Sequence, residues 1–423
     1  RRRMVGKRPV AILLLLLGLG VALGRTQSFE SPTEFVQLRN VSEQQVLLNI
    51  YDQLNGPDWL SSDGWNSAEP LCSWFGVYCN AQGRVAGLSL AGNNLRGPLP
   101  SELGLLSQLW YLNLGQNFMY GTLATEIVQL GQMILSQNDL CGTLPSSLGS
   151  CVKLDRLYLN GNRFSGNIPT ELALLQTATR VYLDMNLLDG TIPSQLGRLE
   201  RLERIYFSNN LLSGTLPSEL AMLESLQHLW LSNTAVEGTL PPIYANMPLV
   251  TLLIRGTLLS GTLPSEFGKM PLWALDIGAT RLSGSLPATL GNCSGLQLIG
   301  ASDARLSGQI PTQLGRLASL IHFAVDGNSF SGTIPTQFGQ CLLLREFNIR
   351  RNQIVGPIPT SFARLPHLSI VDISENPLNM AAEDIIYPFT GREKEHICAY
   401  SLHDRPPVVC SSIATFLMDG TNM

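Results

Sequence analysis

From Val85 to Leu378 the apolar positions follow neither a long helical nor a long strand period, but recur as one composite unit of about 24 residues. Each unit opens with three apolar positions spaced L-x-x-L-x-L. An Asn follows, then an apolar-x-Gly step, then Ile-Pro or Leu-Pro, then two more apolar positions. Leu154, Leu157, Leu159, Asn162, Phe164, Gly166, Ile168, Pro169, Leu172 and Leu175 make one copy; Leu344, Phe347, Ile349, Asn352, Ile354, Gly356, Ile358, Pro359, Phe362 and Leu365 make another. Twelve full copies and a closing half copy from Leu368 fill residues 85–378.

The alternating L-x-L segment predicts a short strand. Strands stacked about 4.8 Å apart in a parallel sheet pool their apolar sides into one core, so no coil folds alone. The Asn is expected to turn inward, where its amide meets backbone groups that would otherwise be buried unpaired. Gly permits a tight bend, and Pro is expected on the far side, where no ladder needs its missing N–H. Two irregularities stand out. The copy starting at Leu109 is three residues short, which predicts a pinch on the side opposite the strands. The Asn position becomes Thr234, Thr257, Thr280 and Ala304 in four successive copies, which predicts looser or differently curved stacking there.

A solenoid exposes its core at both ends and needs caps. Residues 25–84 supply the first: Ser42 with Gln45 reads as a capping box ahead of a helix striped by Val46, Leu47, Ile50, Tyr51 and Leu54. Trp59, Trp65 and Trp74 follow, with Cys72 and Cys79 spaced for a disulfide in an oxidising compartment. Residues 379–423 supply the second, which Cys398 and Cys410 are expected to close; two free thiols in a tail are the alternative. Cys151, Cys293 and Cys341 share a repeat position where Leu is usual, two or more coils apart. They are expected to be buried apolar residues, too far apart to bridge. Cys141 has no assigned role.

Composition sharpens the picture. Residues are 44% hydrophobic and 14% charged, with periodic Gly and Pro, which suits a long ordered core. Arg1, Arg2, Arg3, Lys7 and Arg8 precede an apolar run, Val10 to Leu23, short of the roughly 20 residues that span a bilayer. Residues 1–24 are therefore expected to be a signal peptide cut after Gly24, making the product secreted. That cut leaves 23 Lys and Arg against 32 Asp and Glu, a formal charge of −9, which argues against a nucleic-acid partner. Asn40 and Asn292 head glycosylation sequons, usable on export.

On the outward strand positions, Tyr158, Tyr182, Tyr206 and Trp230 fall in one column of four successive copies. Arg156, Arg180, Arg204 and His228 fall in the column beside it. Two such ladders would make a binding patch, with cations bracing aromatic faces and donors left for an anionic or hydroxylated ligand. A purely structural ladder, with the Arg column paired to Asp155 and Glu203, is the alternative. Asp184, Asn209 and Asn233 edge the patch. Trp110 with Tyr111, and Trp273, are weaker candidates.

The Leu-x-Gly-x-Ile/Leu-Pro turn, together with the segment running Cys72, Trp74, Gly76, Val77, Cys79, resembles plant-type leucine-rich-repeat extracellular proteins. These are receptor-kinase ectodomains, receptor-like proteins and polygalacturonase-inhibiting proteins. The resemblance covers residues 42–378. It implies an α/β solenoid: a right-handed superhelix with a parallel concave β-sheet and disulfide-capped ends, the concave face binding a peptide, glycan or protein. A membrane receptor kinase is then a candidate partner. The sequence contains no kinase set of Gly-rich loop, Lys and catalytic Asp.

Enzyme chemistry finds no constellation. His228, His322 and His367 lie in separate copies, as do Asp276, Asp303, Asp326 and Asp372. His396, Cys398, His403 and Cys410 read more readily as a disulfide with surface His than as a zinc set. The expectation is a secreted, non-enzymatic recognition protein without metal or cofactor. The extracellular part of a receptor system and a wall or matrix protein are the alternatives.

Overall fold

A computed structural model describes residues 42–123 and 125–378. Residues 1–24, Asn40 and the Cys398 and Cys410 pair lie outside these. The helix Glu43–Gln53 starts where Ser42 Oγ accepts from Gln45 N at 3.2 Å, and it buries Val46, Leu47 and Ile50. Tyr51, Trp59, Trp65 and Trp74 pack ring to ring behind it, with successive centroids 4.9–5.1 Å apart along the Tyr51–Trp59–Trp65–Trp74 chain. Cys72 and Cys79 are bonded, Cα to Cα 5.6 Å. The Glu43 carboxylate accepts from Arg84 Nε and from Val85 N, both at 2.9 Å, and so ties the helix to the first coil.

One sheet of 14 strands runs the length of the repeats in sequence order. Val77–Cys79 pairs antiparallel with Val85–Ser89, and every later neighbour is parallel. Alternation sets the layers: in Arg180–Tyr182 the central Val181 is buried and its neighbours face outward. Asn186 shows the inward amide at work. Its Nδ2 donates to the carbonyls of Leu159, Leu183 and Asp184 at 3.0–3.2 Å, and its Oδ1 accepts from Phe164 N at 3.0 Å. One side chain thus joins two coils where no water reaches.

The Gly segment is more than the bend expected from sequence. It forms two further parallel sheets, five strands from Arg96–Pro98 to Leu187–Asp189 and seven from Ser213–Thr215 to Gln353–Ile354. Glycine is required by space as well as by φ. At Gly238 φ is +83°, and a Cβ would begin 2.9 Å from Thr215 Cγ2 of the preceding coil. After each Pro the chain makes a 3₁₀ turn, such as Thr170–Leu174 behind Pro169.

Both irregularities leave marks. In the short second copy no 3₁₀ turn occurs between Ser101–Leu105 and Ser146–Ser150 among the described residues, so the missing residues came from that side. Where Thr replaces Asn the inter-coil bonds disappear. Thr234, Thr257 and Thr280 each donate within their own coil, to Leu231, Ile254 and Ile277. Strand pairing nevertheless continues unbroken across that stretch. Cys151, Cys293 and Cys341 are buried free thiols, and Cys141 is an exposed one. Asn292 is exposed at the end of the turn Ala288–Asn292.

Candidate functional site

The strands Arg156–Tyr158, Arg180–Tyr182, Arg204–Tyr206 and His228–Trp230 pair in register, so Arg opposes Arg and ring opposes ring. Register alone would leave the rings a strand spacing apart; tilting closes them to stacking distance. Centroids lie 4.3, 4.2 and 3.8 Å apart from Tyr158 to Trp230, and successive planes differ by 4°, 9° and 7°. Ile134 precedes the column and Leu253 follows it. Trp230 packs on an apolar cluster of Leu253, Ala274 and Leu298.

This geometry corrects one expectation. The cations do not brace aromatic faces, because the faces are taken by neighbouring rings. The Arg180 guanidinium instead interacts with the Tyr158 phenol, and that of Arg204 with the phenols of Tyr182 and Tyr206. At the end of the column His228 Nδ1 lies 2.9 Å and Trp230 Nε1 2.8 Å from Thr251 Oγ1. The last members of both ladders are therefore pinned to the following coil.

Burial and the cluster of guanidinium groups set the electrostatics. Burial first, then the fields of Arg204 and Arg180, push the His228 imidazole down to about 4, so it is neutral at pH 7. Burial raises the phenols of Tyr182 and Tyr206. Of the anticipated carboxylate partners, Asp155 comes within 3.4 Å of Arg156 Nε, and its Oδ1 accepts from Thr179 Oγ1. Glu203 acts on Arg180 only through space. Two buried donors, Arg156 Nε and Arg180 Nε, have no hydrogen-bond partner, and neither does the acceptor Asp184 Oδ1. Burial raises the Asp184 carboxyl to about 6. At the patch edge Asn233 Nδ2 donates to Asn209 Oδ1 at 2.9 Å.

The other candidates lie away from this patch. The indole of Trp110 lies over Gly131, where a Cβ would start 1.9 Å from its Nε1. The Tyr111 hydroxyl accepts from Asn113 Nδ2 at 3.3 Å. Trp273 covers the Leu253 cluster. That cluster was not legible as such, since Leu and Ala at outward positions look like ordinary variation until the two Trp side chains close over them. His322 and Glu346, far apart in sequence, form a buried pair at 3.0 Å on adjacent strands. Asp276 is buried, accepting from Gly278 N at 3.0 Å with Arg255 3.9 Å away. Asp326 accepts from Ser302 and Asn348.

Comparison with known proteins places the chain. Residues 41–80 match the leucine rich repeat N-terminal domain, and residues 153–175, 201–223 and 343–365 match the leucine rich repeat. A putative receptor-like protein kinase of Arabidopsis thaliana is 33% identical over 115 residues, which are 27% of this chain and 11% of that protein. A plant peptide hormone receptor, RGFR1 in complex with RGF2, is 32% identical with a TM-score of 0.67; the match covers 70% of this chain and 48% of that one. A plant ice-binding protein is 25% identical with a TM-score of 0.56, over 69% of this chain and 88% of that one. The chain thus spans about a tenth of the first curated relative and about half of the receptor structure. The chain contains a leucine-rich-repeat N-terminal domain and leucine-rich repeats, similar to those of plant receptor-like kinases and their ectodomains.

Proposed function

We propose that this is a secreted, non-enzymatic recognition protein that binds a peptide segment across the outward face of the long sheet, on the coils of Tyr158, Tyr182, Tyr206 and Trp230. The carrying observation is the paired ladder itself: aromatic edges aligned over four coils beside guanidinium groups over three, with buried donors and an acceptor left unsatisfied. A neutral glycan is disfavoured, because sugars stack on aromatic faces and these faces are occupied. The likeness to a receptor in complex with its peptide hormone supports the reading, with a membrane receptor kinase as downstream partner. Residues 1–24 act as the signal peptide, residues 25–84 and 379–423 as caps around the repeats of 85–378, with Cys398 and Cys410 closing the second cap. Binding of the secreted chain to a peptide array tests the reading. Tyr182→Ala with Arg180→Ala is expected to weaken captured peptides by about a hundredfold, roughly 2.7 kcal/mol. Undiminished binding by that double variant would move the site elsewhere.

A second reading rests on a different face. Thr143, Thr191, Thr215, Thr239 and Thr262 occupy one exposed position beside the secondary sheets, and their methyl groups nest beside the next coil's glycine at 2.8–3.1 Å from where its Cβ would be. Ser213, Ser260 and Ser283 donate to the preceding coil's glycine carbonyl at 3.1–3.3 Å. A rigid, repeated array of hydroxyl and methyl groups suits ordered water, and a plant ice-binding protein is among the similar structures. Thermal hysteresis and recrystallisation inhibition, lost in Thr215→Lys with Thr239→Lys, would establish it. A chain that leaves ice growth unaltered excludes it.

A further inference from the structure

Resting on the peptide reading, the spacing of the guanidinium column defines the ligand more narrowly. Arg156, Arg180 and Arg204 stand one coil apart, so the outer two are about 9.6 Å apart along the sheet, at a strand spacing of about 4.8 Å. Among the described residues neither Arg180 nor Arg204 has a carboxylate within 4.0 Å, and Asp155 reaches Arg156 Nε without making a hydrogen bond. Arg180 and Arg204 interact with phenols, which are weak partners beside a carboxylate. The column therefore holds positive charge that the chain itself does not neutralise. The downward displacement of the His228 imidazole by Arg204 and Arg180 reports the same field.

A β-extended peptide laid across the coils repeats a side-chain face at about 6.6 Å, which fits neither one coil nor two. A polyproline II segment repeats its face every third residue at about 9.3 Å, close to the two-coil distance. It has no internal hydrogen bonds, so its backbone carbonyls remain free to accept from the phenol edges between the two charges. It also loses little entropy on binding, which suits a preformed, rigid ladder.

We propose that the ladder recognises a polyproline-type peptide carrying two acidic side chains three residues apart, one on Arg156 and one on Arg204, with Arg180 and the phenols of Tyr158 and Tyr182 beneath the backbone between them.

The test titrates the secreted full chain with labelled proline-rich peptides by fluorescence anisotropy. One peptide has aspartates three residues apart, one has them adjacent, and one has asparagines in their place. The first is expected to bind about tenfold tighter than either of the others, and the preference to shrink as salt rises. Arg156→Glu with Arg204→Glu should invert it, favouring a peptide with lysines three residues apart; because that variant gains an affinity, misfolding cannot mimic it. Equal binding of the aspartate and asparagine peptides overturns the acidic spacing while leaving the peptide reading intact. Binding only to a sulfated polysaccharide, with no peptide bound, overturns both.

Discussion

At the scale of single residues, the patch carries two titrations of opposite sign. Burial holds the Asp184 carboxyl at about 6 against an ordinary value of 3.8, so the folded chain keeps its proton longer than the unfolded one. Asp184 therefore costs stability progressively as pH rises from about 4 to about 6. The His228 imidazole is held at about 4 against 6.5, so the folded chain resists the proton, and stability is lost as pH falls through that window. Each displacement corresponds to about 3 kcal/mol as an upper bound. Asp276 and Asp326 are also raised and act in the same direction as Asp184. Relative to wild type, Asp184→Asn is expected to gain stability from pH 4 to pH 7, and His228→Gln to gain it from pH 7 to pH 4. Urea midpoints of the three proteins at both pH values check the two signs. The column of four rings was legible from spacing, but the environment of Asp184 was not: a polar residue at an outward position reads as solvated until neighbouring side chains close over it.

At the scale of elements, the inward Asn separates strong coil junctions from weak ones. Asn186→Ala strips partners from four backbone groups in two coils, and with buried unsatisfied groups costing about 1–3 kcal/mol each before relaxation, a loss of about 3 kcal/mol or more is expected. Thr257→Ala removes a single bond and should cost about 1 kcal/mol. Thermal or urea unfolding orders them; equal losses would mean that the amide is not the clamp between coils. The parallel strands, the N-terminal helix with its serine cap and the Cys72–Cys79 bridge were all readable, because each depends on local chemistry or strict period. The two secondary sheets were not, since a strand of three residues centred on glycine carries no alternation of its own and exists only by pairing with its neighbours.

At the scale of the whole solenoid, described coils pair with their neighbours in sequence, so length and stability are nearly independent of what lies far along the array. Excision of residues 204–227 would carry Trp230 directly onto Tyr182 and leave every remaining junction in register. The shortened chain is expected to fold, with near-native circular dichroism and a three-ring column. It should lose any ligand that requires Arg204. Failure to fold would show that coils communicate beyond their neighbours. The start of the array behaves differently. There, the sheet begins with a strand of opposite direction, bonded by Cys72–Cys79, whose outer edge is three residues long. A parallel ribbon left open at that point would offer its unpaired amides to any other chain, in the manner of a growing fibril. Reversing one brief strand makes that rim a poor template, so the molecule can lengthen by internal duplication without acquiring a tendency to polymerise from its leading end.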